Sequence, residues 1–217
     1  NTKDPAKRAA VLASKEDDHS DACFDHLRKA KEKAALNPLT AEIVVIGLIR
    51  PDKGVEYLEG TEKEVLSQFW FWWHTSEAWK EEIVSWSGNT TSECFDPNMI
   101  IKRSWACGVK VPQLAVNGRY LGPRWEDATT RYLVGKFGAF CSLTRAADEL
   151  GLFESHPDLA PKDEQDLVTG KHFWRWYDGV VDLPTLGELD ASQQREKALA
   201  YLRNDLLLLQ AIVDTIY

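Results

Sequence analysis

Nowhere in its 217 residues does the chain hold an apolar run near the roughly 18 residues that a membrane span needs. No membrane partner is expected. Cysteine is scarce. Cys23, Cys94, Cys107 and Cys141 lie far apart and form no Cys-x-x-Cys pair, which argues against zinc-ribbon and thioredoxin-like readings. Reduced thiols in a cytoplasmic protein are the expectation. His74, His156 and His172 do not fall at metal-ligand spacing. The opening, Asn1-Thr2-Lys3-Asp4-Pro5, has neither a start methionine nor an apolar signal core, so an original N-terminus is expected to have been removed or to lie upstream. Without a secretory signal, the sequon Asn89-Thr90-Thr91 reads as coincidence. Net positive charge is lacking too: 26 Lys and Arg face 34 Asp and Glu, a net −8. That argues against a broad electrostatic footprint on nucleic acid. It leaves room for a carboxylate-lined cleft in which bound cations supply the local positive charge.

With 44% hydrophobic and 28% charged residues, the chain suits one domain, or one domain with an insertion. Residues 4–36 are rich in Ala, Lys and Glu and lie between Pro5 and Pro38, which predicts a long exposed helix or helix pair. We therefore divide the chain into a helical segment, residues 1–40, and a folded domain, residues 41–217. In the latter the period changes. Residues 43–49 form a nearly continuous β-branched run, the pattern of a strand buried on both faces. A turn at Asp52-Lys53-Gly54 and an alternating stretch, 55–59, complete a predicted hairpin. Thr61 and Glu64 form a capping box ahead of a helix whose apolar face holds Val65, Leu66, Phe69 and Trp72.

Residues 83–86 read as a further central strand beside 42–49, and 96–105 as a helix with Pro97 in its first turn. Trp125–Asp127 reads as a short strand, and Ser142 opens a helix that stops at Gly151. Residues 154–185 predict an irregular excursion with an aromatic knot at 173–177. Leu199, Leu202, Leu206, Leu209 and Val213 predict a strong helix over 192–216. Nine tryptophans, four of them between 70 and 79, read first as core and second as stacking surfaces for bases. The whole is an α/β arrangement of a mixed sheet flanked by helices.

Three acids stand where chemistry is feasible. Asp96 follows a strand and the Gly88-Asn89 loop, Asp127 ends a strand, and Asp205 lies one helical turn after Tyr201. Converging carboxylates suit Mg²⁺ or Mn²⁺. The plainer alternatives are a capping role for Asp96 and a structural one for Asp127.

The ordered set Phe95-Asp96-Pro97, Ile100 to Trp105, Gly108-Val109-Lys110-Val111-Pro112, Ser142-Leu143, Leu150-Gly151-Leu152 and Tyr201-Leu202-Arg203-Asn204-Asp205 resembles the RNase H-like 3'-5' exonucleases of the family B polymerase kind. Within that family the resemblance is to a bacterial and phage subgroup. It implies an RNase H-like sheet and metal-dependent release of mononucleotides from nucleic-acid 3' ends, with DNA ahead of RNA. Asp96 and Asp205 would bind Mg²⁺ or Mn²⁺, Tyr201 would orient the attacking water, and Asn89, Phe95 and Arg103 would meet the substrate strand. Two departures stand out. Asn89 lies farther from Phe95-Asp96 than in the family, and the first motif, an Asp-x-Glu on the opening strand, is absent from this chain. The alternative is a catalytically inactive module of the same fold that binds nucleic acid or a protein partner.

Overall fold

The structure is a computed structural model. It describes residues 41–50, 53–76, 83–87, 95–117, 120–122, 125–135, 139–159, 168, 173–181 and 189–217. The architecture below is that of the unit Glu42–Tyr217. The helix predicted over residues 4–36 lies outside the described residues.

The β-branched run folds as β1 (Val45–Arg50), joined by a turn to β2 (Gly54–Glu59), with Val45 opposite Glu59 and Arg50 opposite Gly54 in an antiparallel register. Thr61 then caps α1 (Glu62–Thr75): its side chain accepts from Glu64 N while the Glu64 carboxylate accepts from Thr61 N. This capping box satisfies two of the donors that a helix start leaves open. The buried stripe of α1 is Val65, Leu66, Phe69, Trp70 and Trp73. Each such side chain contributes roughly 1.5–3 kcal/mol when fully buried. Trp70 and Trp73 are therefore core, whereas Phe71 between them is exposed. The Trp70 indole N–H donates to Ser104 Oγ at 2.8 Å, and Ser104 Oγ donates to Ile100 O, so burial leaves neither group unsatisfied.

Beyond α1 come β3 (Ile83–Ser85), α2 (Phe95–Ala106), a 3₁₀ turn (Gln113–Ala115), and the short strands β4 (Val116–Asn117), β5 (Tyr120–Leu121) and β6 (Trp125–Asp127). Short helices α3 (Ala128–Tyr132), α4 (Leu143–Glu149), α5 (Leu152–Ser155) and α6 (Phe173–Tyr177) lead to the 26-residue α7 (Ala191–Ile216). Ser142 caps α4 as expected, and Gly151 follows its end at φ 67°, a left-handed conformation that favours glycine.

Two expectations need correcting. The strand 83–86 is not hydrogen-bonded to 42–49. Among the described residues β1 pairs with β2, β3 pairs in parallel with β6, and β4 pairs with β5, giving three two-stranded sheets. Both β1 and β3 carry apolar sequences suited to any central position, and such a pattern does not specify which strand is the neighbour. The aromatic knot is not irregular: Phe173–Tyr177 is helical, burying Trp176 and Tyr177 where α6 packs on α7. Its order comes from partners elsewhere in the chain. Arg195 of α7 and Tyr177 both donate to Glu59, and the Arg195 guanidinium stands 4.3 Å from the Tyr177 ring centroid.

Helix α7 also packs across β1, as its leucine period predicts. The approach is close at Gly47, where a Cβ would lie 2.8 Å from Leu206 Cδ1 and 3.1 Å from Leu202. The described chain is thus a mixed α/β fold of small sheets and several helices. None of its described helices is long and apolar enough to cross a membrane.

Candidate functional site

Residues of β1, β3, α2 and α7, with Phe69, Trp125 and Leu143, line one cavity of about 460 Å³. Residues 45–48 of β1 line it, as do Ile83, Val84, Ser85 and Trp86. Asp96, Pro97, Met99 and Ile100 come from the first turns of α2, and Leu202, Asp205, Leu206 and Leu209 from α7. The last four recur at the three-to-four spacing that puts them on one helix face, so Asp205 is the polar member of an apolar stripe. Asp96 is carried in the first turn of α2, beside the fully buried Pro97, where a fixed φ favours helix initiation.

The two carboxylates feel each other. Burial in the cavity wall pushes the Asp96 pKa up to about 6, and the negative charges of Asp127 and Asp205 push it the same way. Protein atoms crowd round Asp96, while its own surface stays exposed to solvent. The Asp205 Oδ1 atom is shielded from solvent. Beside them the Ser85 hydroxyl is buried, lines the cavity and has no hydrogen-bond partner among the described residues. A buried hydroxyl left unpaired costs about 1–3 kcal/mol, which is a reason to look for something that it binds.

Asp127, which faces Ser85 in the β3–β6 register, has other work. It is buried, caps α3 by accepting from Thr129 N at 3.0 Å, and accepts from the backbone and hydroxyl of Ser87. It holds the exits of β3 and β6 together and contributes its charge to Asp96 from behind.

A consequence can be measured. In the unfolded chain Asp96 loses its proton near pH 4, in the folded chain near 6. Between these values the folded state holds the extra proton, so stability falls as pH rises from 4 to 6 and is level above. Fully expressed, two pH units correspond to roughly 3 kcal/mol; water in the cavity screens the charge, leaving on the order of 1–2 kcal/mol. Asp96→Asn is therefore expected to be more stable than the parent by that amount at pH 7, with the gap closing towards pH 4. Urea titrations at both values test this, and a gap independent of pH would contradict it.

Tyr201 and Arg103 are not among the described residues that line the cavity. Tyr201 lies one turn before Asp205, and its ring packs 6.3 Å from that of Phe173 in a cluster with Val44, Val45 and Trp176. Arg103 is largely buried and held by Glu62, its Nε donating to Oε1 at 2.7 Å, so its guanidinium is committed between α1 and α2. Phe95 is described as the first residue of α2. Asn89 lies outside the described residues, as do Lys162, Lys171 and His172. Ser85 was not singled out from the sequence. The available signal was a hydroxyl at the end of a strand otherwise built from Ile83 and Val84.

Hard oxygen donors at Asp96, Asp205 and Ser85 are the right kind for Mg²⁺ or Mn²⁺. They are too few for a complete site: among the described residues no group of three or more His, Cys, Asp or Glu is placed to hold an ion. The chain matches no protein-family model, no curated protein and no solved structure.

Proposed function

We propose that the chain is the larger part of an RNase H-like nuclease domain that hydrolyses phosphodiester bonds at the 3' ends of nucleic acid, DNA ahead of RNA. The observation that carries this reading is the meeting of Asp96 and Asp205, distant in sequence, at one cavity beside the Ser85 hydroxyl, which has no partner among the described residues. The ordered resemblance described above supports it, since both acids fall in its motifs.

Asp96 and Asp205 would hold Mg²⁺ or Mn²⁺, which when bound stabilises charge on the attacking and leaving oxygens of a phosphodiester. The chain's own contributions are then separable. The two carboxylates hold position on the first turn of α2 and the middle of α7. The raised pKa of Asp96 makes protons compete with cations, so cation binding weakens as pH falls below about 6. The resemblance gives Tyr201 the role of orienting the attacking water; its ring packs with Phe173 one turn before Asp205, so that role requires its hydroxyl to reach the cavity once the Asp-x-Glu strand is in place. Because two carboxylates and a hydroxyl leave the donor set short, the reading calls for the Asp-x-Glu that the resemblance implies.

The test is release of labelled mononucleotide from a 3'-labelled oligonucleotide, with Mg²⁺ and Mn²⁺ titrated. It compares residues 1–217 alone with the same chain preceded by a strand bearing Asp-x-Glu. Residues 1–217 are expected to be weak or inert. The extended protein is expected to be faster by about 10² or more, the scale on which a transition-state electrostatic contact acts. An extended protein that is inert with both metals yet binds DNA, unchanged by loss of Asp205, would replace this reading with that of a binding module.

A further inference from the structure

One stripe of α7 runs from the α6 contact to the cavity. Gln194, Ala198, Tyr201 and Asp205 recur at four-three-four spacing, which puts them on one helix face. The first two are buried. Gln194 is committed to the chain that flanks α6: its side chain accepts from Val181 N at 2.9 Å and donates to Val181 O and Leu189 O at 3.0 Å. Asp205, at the far end of the stripe, lines the cavity. Tyr201 stands between them, in a cluster with Val45, which also lines the cavity.

A long side chain on a helix takes one of two χ1 settings, and these point a tyrosine hydroxyl to different places. The neighbours of Tyr201 decide between them. One is Phe173, whose ring centroid lies 6.3 Å away. Phe173 is in turn fixed, because its ring stacks on that of Tyr177 at 5.9 Å with 20° between the planes. The Tyr177 hydroxyl donates to Glu59 at 2.9 Å and accepts from Arg195 at 2.8 Å, and Arg195 also donates to Glu59 at 2.7 Å. A helix of five residues does not persist alone in water, so the shape of α6 depends on these outside partners. Glu59 and Arg195 remain partly exposed, and changes there do not open the core.

We infer that α6 is a bracket for Tyr201. Phe173 is a positioning residue that sets the direction of the Tyr201 hydroxyl, and the Glu59–Tyr177–Arg195 cluster holds Phe173 in place. A partly exposed ion pair on β2 and α7 thereby governs the side chain that the resemblance assigns to the attacking water. That catalytic consequence rests on the nuclease reading; the coupling from Glu59 to Tyr201 does not.

The experiment incorporates 3-fluorotyrosine into the full 217-residue chain and follows the fluorine signals by NMR. The chain has six tyrosines, and the Tyr201 signal is the one lost in Tyr201→Phe. Glu59→Ala removes the shared acceptor, and Tyr177→Phe removes the hydroxyl while keeping the stack on Phe173. In both variants the Tyr201 signal is expected to shift or broaden, while those of Tyr132 and Tyr217, which pack with Trp86 and Arg131, stay in place. An unmoved Tyr201 signal in either variant overturns the inference, as does an equal shift of all three, which would mean general loosening. A second arm measures mononucleotide release by the strand-extended protein. There Phe173→Leu is expected to lower kcat about tenfold with KM within about twofold, and to add nothing in the Tyr201→Phe background, since misplacing a group acts through that group alone. Equal losses in both backgrounds overturn the inference too. If the strand-extended protein is inert, the nuclease reading fails and the fluorine signals still decide the coupling.

Discussion

In the active, strand-extended protein, Asp205→Ala is expected to bring mononucleotide release to near background, whereas Tyr201→Phe is expected to leave a slowed but measurable rate. The two changes lie one helical turn apart on α7 and differ in what they remove. Alanine is the strongest helix former, and Asp205 is held between leucines that pack the same face, so the helix persists after the change. What is lost is one of the two carboxylates at the cavity. The Tyr201 ring belongs to a packed cluster with Phe173, and phenylalanine keeps that packing while removing the hydroxyl. A water-orienting contact accounts for roughly 10²–10⁴-fold, which leaves activity to measure. A second readout keeps the Asp205 result from being ascribed to misfolding. Asp205 is one of the charges that raise the Asp96 pKa, so Asp205→Ala should lower that pKa from about 6, as seen by carboxyl-carbon NMR titration. Full activity in Asp205→Ala, or an unmoved Asp96 pKa, would show that the two acids do not form one site.

What was legible in the sequence was local. The hairpin of β1 and β2 follows from a β-branched run, a turn and an alternating stretch within 17 residues. The Thr61–Glu64 box and the leucine period of α7 likewise declare themselves within a few turns of chain. Asp96 and Asp205 were found through motifs. Their meeting at one cavity depends on how α7 crosses β1 at Gly47, a contact between segments some 150 residues apart that no short window encodes. The same limit explains the misplaced strand. Ile83, Val84 and Ser85 are as suited to pairing with β1 as with β6, and the choice of Trp125–Asp127 is made by tertiary contacts, including the hydrogen bonds from Ser87 to Asp127. Arg103 shows the same limit from the other side. A basic residue within a substrate-binding motif is easily assigned to phosphate, but its partner, Glu62, lies 41 residues upstream.

That pairing makes Glu62→Ala the change expected to cost the fold most. Glu62 sits in the first turn of α1, and its carboxylate is a hub: Oε1 accepts from Ile43 N at 2.8 Å and from Arg103 Nε, while Oε2 accepts from the other arm of the Arg103 guanidinium and from Cys107 Sγ at 3.1 Å. It thereby ties the approach to β1, the start of α1 and the end of α2 in one network. Burial alone would raise the Glu62 pKa, but the hydrogen bonds from Arg103, Ile43 and Cys107, with the charge of Arg103, outweigh it and hold the carboxyl below its usual range. Glu62 is 9% exposed and Arg103 14%, so removing the carboxylate takes two hydrogen bonds from a largely enclosed guanidinium and the acceptor from the Ile43 N–H. Breaking a buried pair in this way costs about 3–5 kcal/mol, against a total stability on the order of 5–15 kcal/mol for a domain. Because the folded pKa is depressed, the stabilisation is present above the unfolded value near 4.3 and is lost as pH falls through the lower folded value. The penalty of Glu62→Gln, which keeps shape and loses charge, should accordingly shrink below pH 4. Pairing Glu62→Leu with Arg103→Met removes both charges together and should recover much of the loss, as apolar replacements of buried pairs often do. Denaturant midpoints for the single and double variants at pH 7 and pH 3.5 decide the matter. A loss below about 1 kcal/mol for Glu62→Ala would mean that the pair behaves as an exposed one, and Arg103 would again be free to meet a phosphate.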